Sequence, residues 1–111
     1  MHCKPGDLVF IPFPYSDIKT TKKRPVLVLT APDRHGDFIG LAVTSVQMDE
    51  HAVRIESPDL LQGSLPKTSW IRVDKIFTLA QDSIVKPFGA LTSAAMGKVL
   101  DRLCRGIGCL D

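Results

Sequence analysis

Short runs of apolar residues alternate with polar ones along most of the chain, which is typical of β-strands. Residues 6–17, GDLVFIPFPYSD, begin at a Gly–Asp turn and predict a first strand. This strand is expected to end, or to lie at a sheet edge, at Pro12 and Pro14, because proline has no N–H to donate. Residues 26–29 are four consecutive apolar residues and predict a second strand, entered at Pro25 and covered on both faces.

Three further strands follow from the same pattern. Residues 38–46, FIGLAVTSV, predict a third strand, residues 51–57 a fourth, and residues 68–78 a longer alternating one. In the last of these, Trp70, Arg72 and Asp74 share one face of the strand, opposite Ile71, Val73 and Lys75. The segments 16–23, 31–37 and 58–67 are rich in polar, Pro or Gly residues and are expected to be loops or turns.

The end of the chain has a different period. From Thr92 onwards, apolar residues recur at the spacing of an amphipathic helix: Met96, Val99, Leu100 and Leu103. Thr92 or Ser93 is a candidate N-cap, and Gly106 or Gly108 is a candidate for the C-terminal end. The pattern as a whole predicts a mainly β protein: a small β-barrel closed by one C-terminal helix, in a single domain over residues 1–111.

Composition and charge narrow the class of protein. The chain has 111 residues, of which 44% are hydrophobic, and this suits one globular domain. The net charge of +2 is too small to indicate nucleic-acid binding, so any such function must depend on a local cluster of charges. No signal peptide is evident and no apolar run approaches the length of a membrane span, so we expect a cytoplasmic protein.

The cysteines and histidines show no pattern typical of a disulfide framework or a metal site. Cys3, Cys104 and Cys109 are an odd number, which argues against a secreted fold built on disulfides. Their spacing to the three histidines is not that of a zinc site, and the histidines have no regular spacing among themselves, so no metal, no cofactor and no histidine role is predicted. GxSxG, Walker and Rossmann glycine motifs are also absent from the sequence.

Arg24 is a candidate for binding a phosphate. It lies in the stretch KKRPVLVLT, between a polar segment and an apolar strand, and Pro25 restricts it towards extended geometry. A planar, permanently charged guanidinium held in this way suits a phosphate group. The alternative is a solvated arginine beside a turn.

Arg72 and Asp74 are candidates for chemistry at the same phosphate. Arginine stabilises developing negative charge and aspartate accepts or orients a proton, although a structural ion pair explains the spacing equally well. Trp70 either stacks on a base or belongs to the core. Thr44 and Ser45, at the end of the third strand, either bind a phosphate or satisfy nearby backbone groups.

The order of these motifs resembles a known family. GDLVFIPFPYSD, KKRPVLVLT, GLAVTS and SWIRVDKIFTL, followed by a helix, are similar over residues 5–105 to the PemK/MazF toxins of bacterial type II toxin–antitoxin systems. The resemblance implies an SH3-like barrel, a symmetric homodimer and a cognate antitoxin as partner. It also implies a metal-independent, sequence-specific endoribonuclease that cleaves single-stranded RNA to a 2′,3′-cyclic phosphate and a 5′-hydroxyl.

The resemblance also implies roles for individual residues. Arg24 matches the arginine expected beside the scissile phosphate, and Thr44 and Ser45 match a hydroxyl pair that binds or orients the substrate. Arg72 matches an arginine that some members use as general acid, and Asp74 matches their proposed base. Because the pKa of arginine is so high, we expect Arg72 to act mainly by electrostatic stabilisation.

The segment before Arg24 departs from the family pattern. Many members carry a glycine-rich loop there, often with a glutamate or histidine, whereas this chain has YSDIKTTKK. Asp17 is a candidate substitute for the missing group. Lys23, together with Lys19 and Lys22, is expected to attract the phosphate backbone in a salt-dependent way.

Two other functions are compatible with a small barrel. One is a CcdB-like toxin, which poisons DNA gyrase without cleaving RNA and uses the end of its helix to bind the enzyme. The other is an SH3-like interaction module with no activity, but one Trp and one Tyr offer little of the aromatic groove that such a module needs.

Overall fold

A seven-stranded sheet and one helix make up the computed structural model, which describes residues 2–14 and 21–109. The strands are paired antiparallel in the order β4-β6-β3-β2-β1-β7-β5 and the sheet curls into a half-barrel, which confirms the predicted mainly β architecture. The elements are β1 Asp7–Pro14, β2 Thr21–Val28, β3 Asp37–Thr44, β4 Ala52–Ile55, β5 Leu60–Gly63, β6 Ser69–Ala80, β7 Lys86–Leu91 and α1 Ser93–Ile107, with 3-10 turns at Ser57–Asp59 and Gln81–Ser83.

The core lies on both faces of the sheet. On the first face, Leu27 and its neighbours from six strands pack against the buried side of α1. The second face, defined by Val26, Val28 and Phe38, carries a smaller cluster that includes Cys3, Val9 and Ile11. Residues 26–28 of β2 are therefore fully buried with alternate side chains on opposite faces, as their continuous apolar run predicts.

The helix has the predicted ends. The Thr92 hydroxyl accepts a hydrogen bond from the Ala95 N–H at 3.1 Å, and Gly108 closes the helix in the left-handed conformation with φ 78°. Ala95, Val99 and Leu103 are the buried stripe that joins the first face of the sheet. The Cys104–Cys109 disulfide, which the sequence did not predict, connects the last turns of α1 to the residue beyond the cap.

The two prolines of β1 do not end the strand. β1 continues to Pro14, and its pairing with β7 stops at Phe10, so that Pro12 and Pro14 lie where the strand is paired with β2 alone. The expected edge position is therefore found, but the expected strand end is not.

The start of β2 was placed too late by the sequence. β2 begins at Thr21, so Lys22 and Lys23 belong to a strand instead of a loop, and Pro25 is an interior strand residue opposite Phe10. Pairing with β1 overrides the polar composition of this segment, because the register continues from the buried part of β2 into its exposed part.

The segment predicted as a loop at 58–67 contains β5, and β7 has no strand pattern in the sequence. The two strands pair with each other at Gly63 and Gly89. A Cβ on Gly89 would come within 2.8 Å of the Gln62 carbonyl oxygen, and Gly63 has φ 84°. Glycine is required for this close approach. Because glycine has no side chain, the same residues also interrupt the alternation of apolar and polar positions by which a strand is predicted from sequence.

Within the described residues, none of the helices is long and apolar enough to cross a membrane.

Candidate active site

A cavity of about 340 Å³ opens where β2 starts and β3 ends. Three cationic and three hydroxyl-bearing residues line it, and none of the described residues of its wall is acidic. Its electrostatics therefore favour an anionic ligand. The lining residues are Phe10, Lys22, Lys23, Arg24, Pro25, Val43, Thr44, Ser45, Val46, Leu65, Pro66, Ser69 and Phe88.

Arg24 and Thr44 are brought together by the pairing of β2 with β3. Val26 is paired with Ala42, and continuing this register by two residues places Arg24 opposite Thr44. The Thr44 hydroxyl oxygen accepts a hydrogen bond from the Val46 N–H at 3.1 Å, as the structural alternative anticipated. Its O–H remains a donor, so the same hydroxyl has the chemistry to bind a phosphate oxygen.

The apolar part of the wall includes two stacked rings and a proline. The rings of Phe10 and Phe88 stack with centroids 4.4 Å apart, and Pro25 lies opposite Phe10 in the β1–β2 register. The sequence did not indicate Phe10, Pro25 or Phe88 as site residues, whereas Lys22 was expected there with Lys23. The alternation of side chains along β1 could have indicated Phe10. Because Val9 is buried on one face of the strand, the next residue, Phe10, points to the opposite face.

The next strand adds polar residues on the second face of the sheet. Thr44 is paired with Trp70, while Ile71 and Val73 are buried on the first face, so Trp70 and Arg72 lie on the same side of the sheet as Thr44. Two strand spacings separate Arg24 from Trp70, which is about 10 Å. Trp70, Arg72 and Asp74 do not line the cavity; they flank it on β6.

Arg72 and Asp74 form a bidentate ion pair. Arg72 Nε donates to Asp74 Oδ1 at 3.1 Å and its Nη2 donates to Oδ2 at 2.9 Å. The hydrogen bonds from Arg72 lower the pKa of the Asp74 carboxyl, and the same bonds raise the pKa of the guanidinium. Both groups are therefore charged at neutral pH, and the guanidinium has no tendency to release a proton.

The residues predicted from the sequence thus fall into two neighbouring groups. Lys23, Arg24, Thr44 and Ser45 share the cavity, and Trp70, Arg72 and Asp74 lie on the adjacent strand. Asp17 lies outside the described residues.

The described residues contain no group of three His, Cys, Asp or Glu side chains that could hold a metal ion. The positively charged residues that line the cavity are Lys22, Lys23 and Arg24.

The sequence matches a known protein family over most of its length. The family model of the PemK-like, MazF-like toxins of type II toxin–antitoxin systems matches residues 4–107. No curated protein matches the sequence.

Several solved structures share the fold. A MazE–MazF complex from Deinococcus radiodurans superposes with a TM-score of 0.76 at 19% identity, covering 96% of this chain and 96% of that one. An endoribonuclease from a mycobacterial species, in complex with its cognate antitoxin, gives 0.73 at 22% identity, covering 96% and 95%. The Mycobacterium tuberculosis toxin MazF-mt6 gives 0.67 at 14% identity, covering 90% and 96%.

Proposed function

The chain belongs to the family of PemK-like, MazF-like toxins of type II toxin–antitoxin systems, and we propose that it is a metal-independent, sequence-specific endoribonuclease. Its substrate is single-stranded RNA, and cleavage of messenger RNA would arrest translation and growth. Relatives of the same fold are described as endoribonucleases, which supports the proposal.

The observation that carries this proposal is the cavity with three cationic residues, three hydroxyl-bearing residues and no acidic lining residue among those described. Arg24 presents a planar fork for a phosphodiester. Lys22 and Lys23 attract the flanking backbone, and Thr44 and Ser45 supply hydroxyl donors. Single-stranded RNA suits the site because it exposes the 2′-hydroxyl that must attack the phosphorus.

The Arg72–Asp74 pair supplies the second half of the chemistry. In the proposed reaction the 2′-oxygen attacks the adjacent phosphorus, the bond from phosphorus to the 5′-oxygen breaks, and a 2′,3′-cyclic phosphate and a 5′-hydroxyl result. Asp74 accepts the 2′-hydroxyl proton, since each carboxylate oxygen keeps a lone pair beyond the one that Arg72 occupies. Arg72 holds the carboxylate in place and stabilises the charge that develops on the phosphorane.

Trp70 extends the site along β6, where its half-buried ring can stack on a neighbouring base. Asp17 is retained as a substrate-binding candidate from the sequence.

The experiment for this proposal is incubation of the purified protein with a mixed pool of single-stranded RNA in excess EDTA. We expect cleavage at a defined sequence by the wild type and none by Arg24→Ala. Intact RNA in the wild-type reaction would contradict the proposal.

The partners follow from family membership. We propose a cognate antitoxin that lays a disordered acidic segment along the cationic cavity, and a cytoplasmic homodimer built from one domain per chain. Structures of relatives with their antitoxins support the first of these. The CcdB-like alternative gains no support from the family match; gyrase-dependent DNA damage with intact cellular RNA would reverse this ranking.

A further inference from the structure

Cleavage of a phosphodiester needs a proton donor for the leaving 5′-oxygen, and among the described residues neither Arg72 nor Asp74 is a suitable one. The hydrogen bonds from Arg72 to Asp74 raise the pKa of the guanidinium, so Arg72 is an even poorer acid than a free arginine. The Asp74 carboxyl is ionised, because the same hydrogen bonds lower its pKa. An effective acid at neutral pH must titrate near that pH, as a histidine does.

His51 lies directly beside the Arg72–Asp74 pair. Ala52 is paired with Arg72 in the β4–β6 register, and the carbonyl of His51 accepts a hydrogen bond from the Val73 N–H at 2.9 Å. The backbone of His51 is therefore anchored opposite the residue between Arg72 and Asp74. A charged His51 also lowers the pKa of Asp74, after the larger effects of Arg72, which places the imidazole within electrostatic reach of that carboxylate.

The conformation of His51 turns its side chain away from the core. It has φ 58°, the one positive value among the described residues other than glycine. In ordinary strand geometry its side chain would share the buried face of Val73, whereas the His51 side chain is 65% exposed. A left-handed conformation at a non-glycine residue costs free energy, and such strain is concentrated at functional sites.

Charged groups of both signs lie near His51. Glu50 Oε2 lies 3.5 Å from His51 Nε2, and Asp74 lies on the neighbouring strand β6. The charges of Arg72 and Asp74 compensate each other through their bidentate hydrogen bonds. Beyond β4, a separate cavity beside Ala52 is lined by four charged residues: Arg54, Lys98, Asp101 and Arg102.

We propose that His51 is a catalytic residue, the general acid that protonates the leaving 5′-oxygen of the RNA. The inference rests on the proposed endoribonuclease activity. The 2′-hydroxyl gives its proton to Asp74 as the bond from the 2′-oxygen to phosphorus forms. The bond from phosphorus to the 5′-oxygen breaks, and the imidazolium gives its proton to that oxygen. Proton exchange with water then returns both side chains to their starting states.

The test uses His51→Asn, because asparagine tolerates the left-handed conformation and keeps the backbone carbonyl that Val73 needs, but transfers no proton. The control is His35→Asn, at another loop histidine, whose ring accepts a hydrogen bond from Arg34 Nε at 3.3 Å. Unchanged thermal unfolding of both variants would show that the fold is kept.

The first readout is kcat/KM for an oligonucleotide that carries the cleavage sequence found with the RNA pool. At pH 6, His51→Asn is expected to lose about 10²- to 10⁴-fold, the usual contribution of a general acid. The wild-type rate is expected to fall as the pH rises, because only a protonated imidazole can act as the acid, and this fall is expected to be absent in the variant. His35→Asn should behave as the wild type does.

The second readout replaces the 5′-oxygen at the cleavage site by sulfur. A thiolate leaves without being protonated, so His51→Asn should cleave this substrate within about threefold of the wild-type rate.

Two results would overturn the inference alone: wild-type activity with the wild-type pH profile in His51→Asn, or equal loss on the oxygen and sulfur substrates. If the wild type cleaves no RNA, the proposed function fails and the inference fails with it.

Discussion

Arg24 connects the strand framework to the proposed chemistry, because β2 fixes its backbone and the cavity receives its side chain. Arg24→Ala is expected to lower kcat/KM for RNA by about 10²- to 10³-fold, the usual effect of removing one donor that stabilises transition-state charge. Arg24→Lys should recover only part of this loss, since an ammonium has no bidentate fork.

The control for Arg24 is Arg34→Ala, at an exposed arginine outside the cavity. Cleavage assays on all three variants, with circular dichroism to verify folding, would test the role of Arg24. Wild-type kcat/KM in a folded Arg24→Ala protein would show that the cavity is not where the RNA reacts.

At the residue scale, the sequence predicted the features that follow from the order of the strands and from the alternation of side chains along each strand. Arg24, Thr44 and Ser45 could be proposed for one site because the resemblance implied that all three contact the substrate. His51 could not be found in this way. Its place beside Arg72 depends on the β4–β6 register and on a left-handed backbone at one residue, and neither leaves a spacing pattern in the sequence.

The ion pair of β6 gives a prediction for stability against pH. Because the pKa of Asp74 is lowered in the folded state, the stability from the pair is present above the unfolded value of about 3.9 and is lost as the pH falls through the folded value. Its size should be below about 1 kcal/mol at pH 7, since solvent screens the partly exposed pair.

Urea unfolding of the wild type and Asp74→Asn at several pH values between 7 and 3 measures the contribution of the ion pair to the free energy of unfolding. The difference in the free energy of unfolding is expected to shrink towards pH 3. A difference that stays constant over this range would show that it does not come from the charge of Asp74.

Two glycines allow a matched test of the packing of the elements. A Cβ on Gly40 of β3 would lie 2.6 Å from Val26 Cγ1 and 3.1 Å from the Leu27 carbonyl oxygen, so Gly40→Ala should cost about 1–3 kcal/mol. A Cβ on Gly97 of α1 meets nothing within 4 Å, so Gly97→Ala should add about 0.5–1 kcal/mol through helix propensity. Thermal unfolding of both variants distinguishes these outcomes, and destabilisation by Gly97→Ala would contradict the exposed helix face.

At the element scale, the sequence predicted the strands with apolar alternation and the helix with its caps. It did not predict β7, whose sequence KPFGAL interrupts the pattern with Pro87 and Gly89, or the start of β2. Both are determined by pairing with a distant strand, and such tertiary contacts override local composition.

For the whole molecule, RNA binding is expected to depend on the local cation cluster, because the net charge is only +2. With a substrate that lacks the attacking 2′-hydroxyl, log K should fall linearly with log salt, with a slope of about −0.7 for each phosphate neutralised. The double variant Lys22→Ala/Lys23→Ala should make the slope shallower by about 1.4, the contribution of two phosphates.

Lys98→Ala/Arg102→Ala, on α1 outside the cavity, is the matched control for charge. Equal changes in slope for the two double variants would indicate that the RNA is held by the overall charge and not by the cavity.

Metal-independent cleavage of RNA by its own 2′-hydroxyl is tested most directly by mass spectrometry of the fragment ends after cleavage in EDTA. The proposed attack by the 2′-hydroxyl predicts 2′,3′-cyclic phosphate and 5′-hydroxyl ends in the wild-type reaction. Fragments with 3′-hydroxyl and 5′-phosphate ends would contradict it, since those ends require attack by water instead of the RNA's own 2′-hydroxyl.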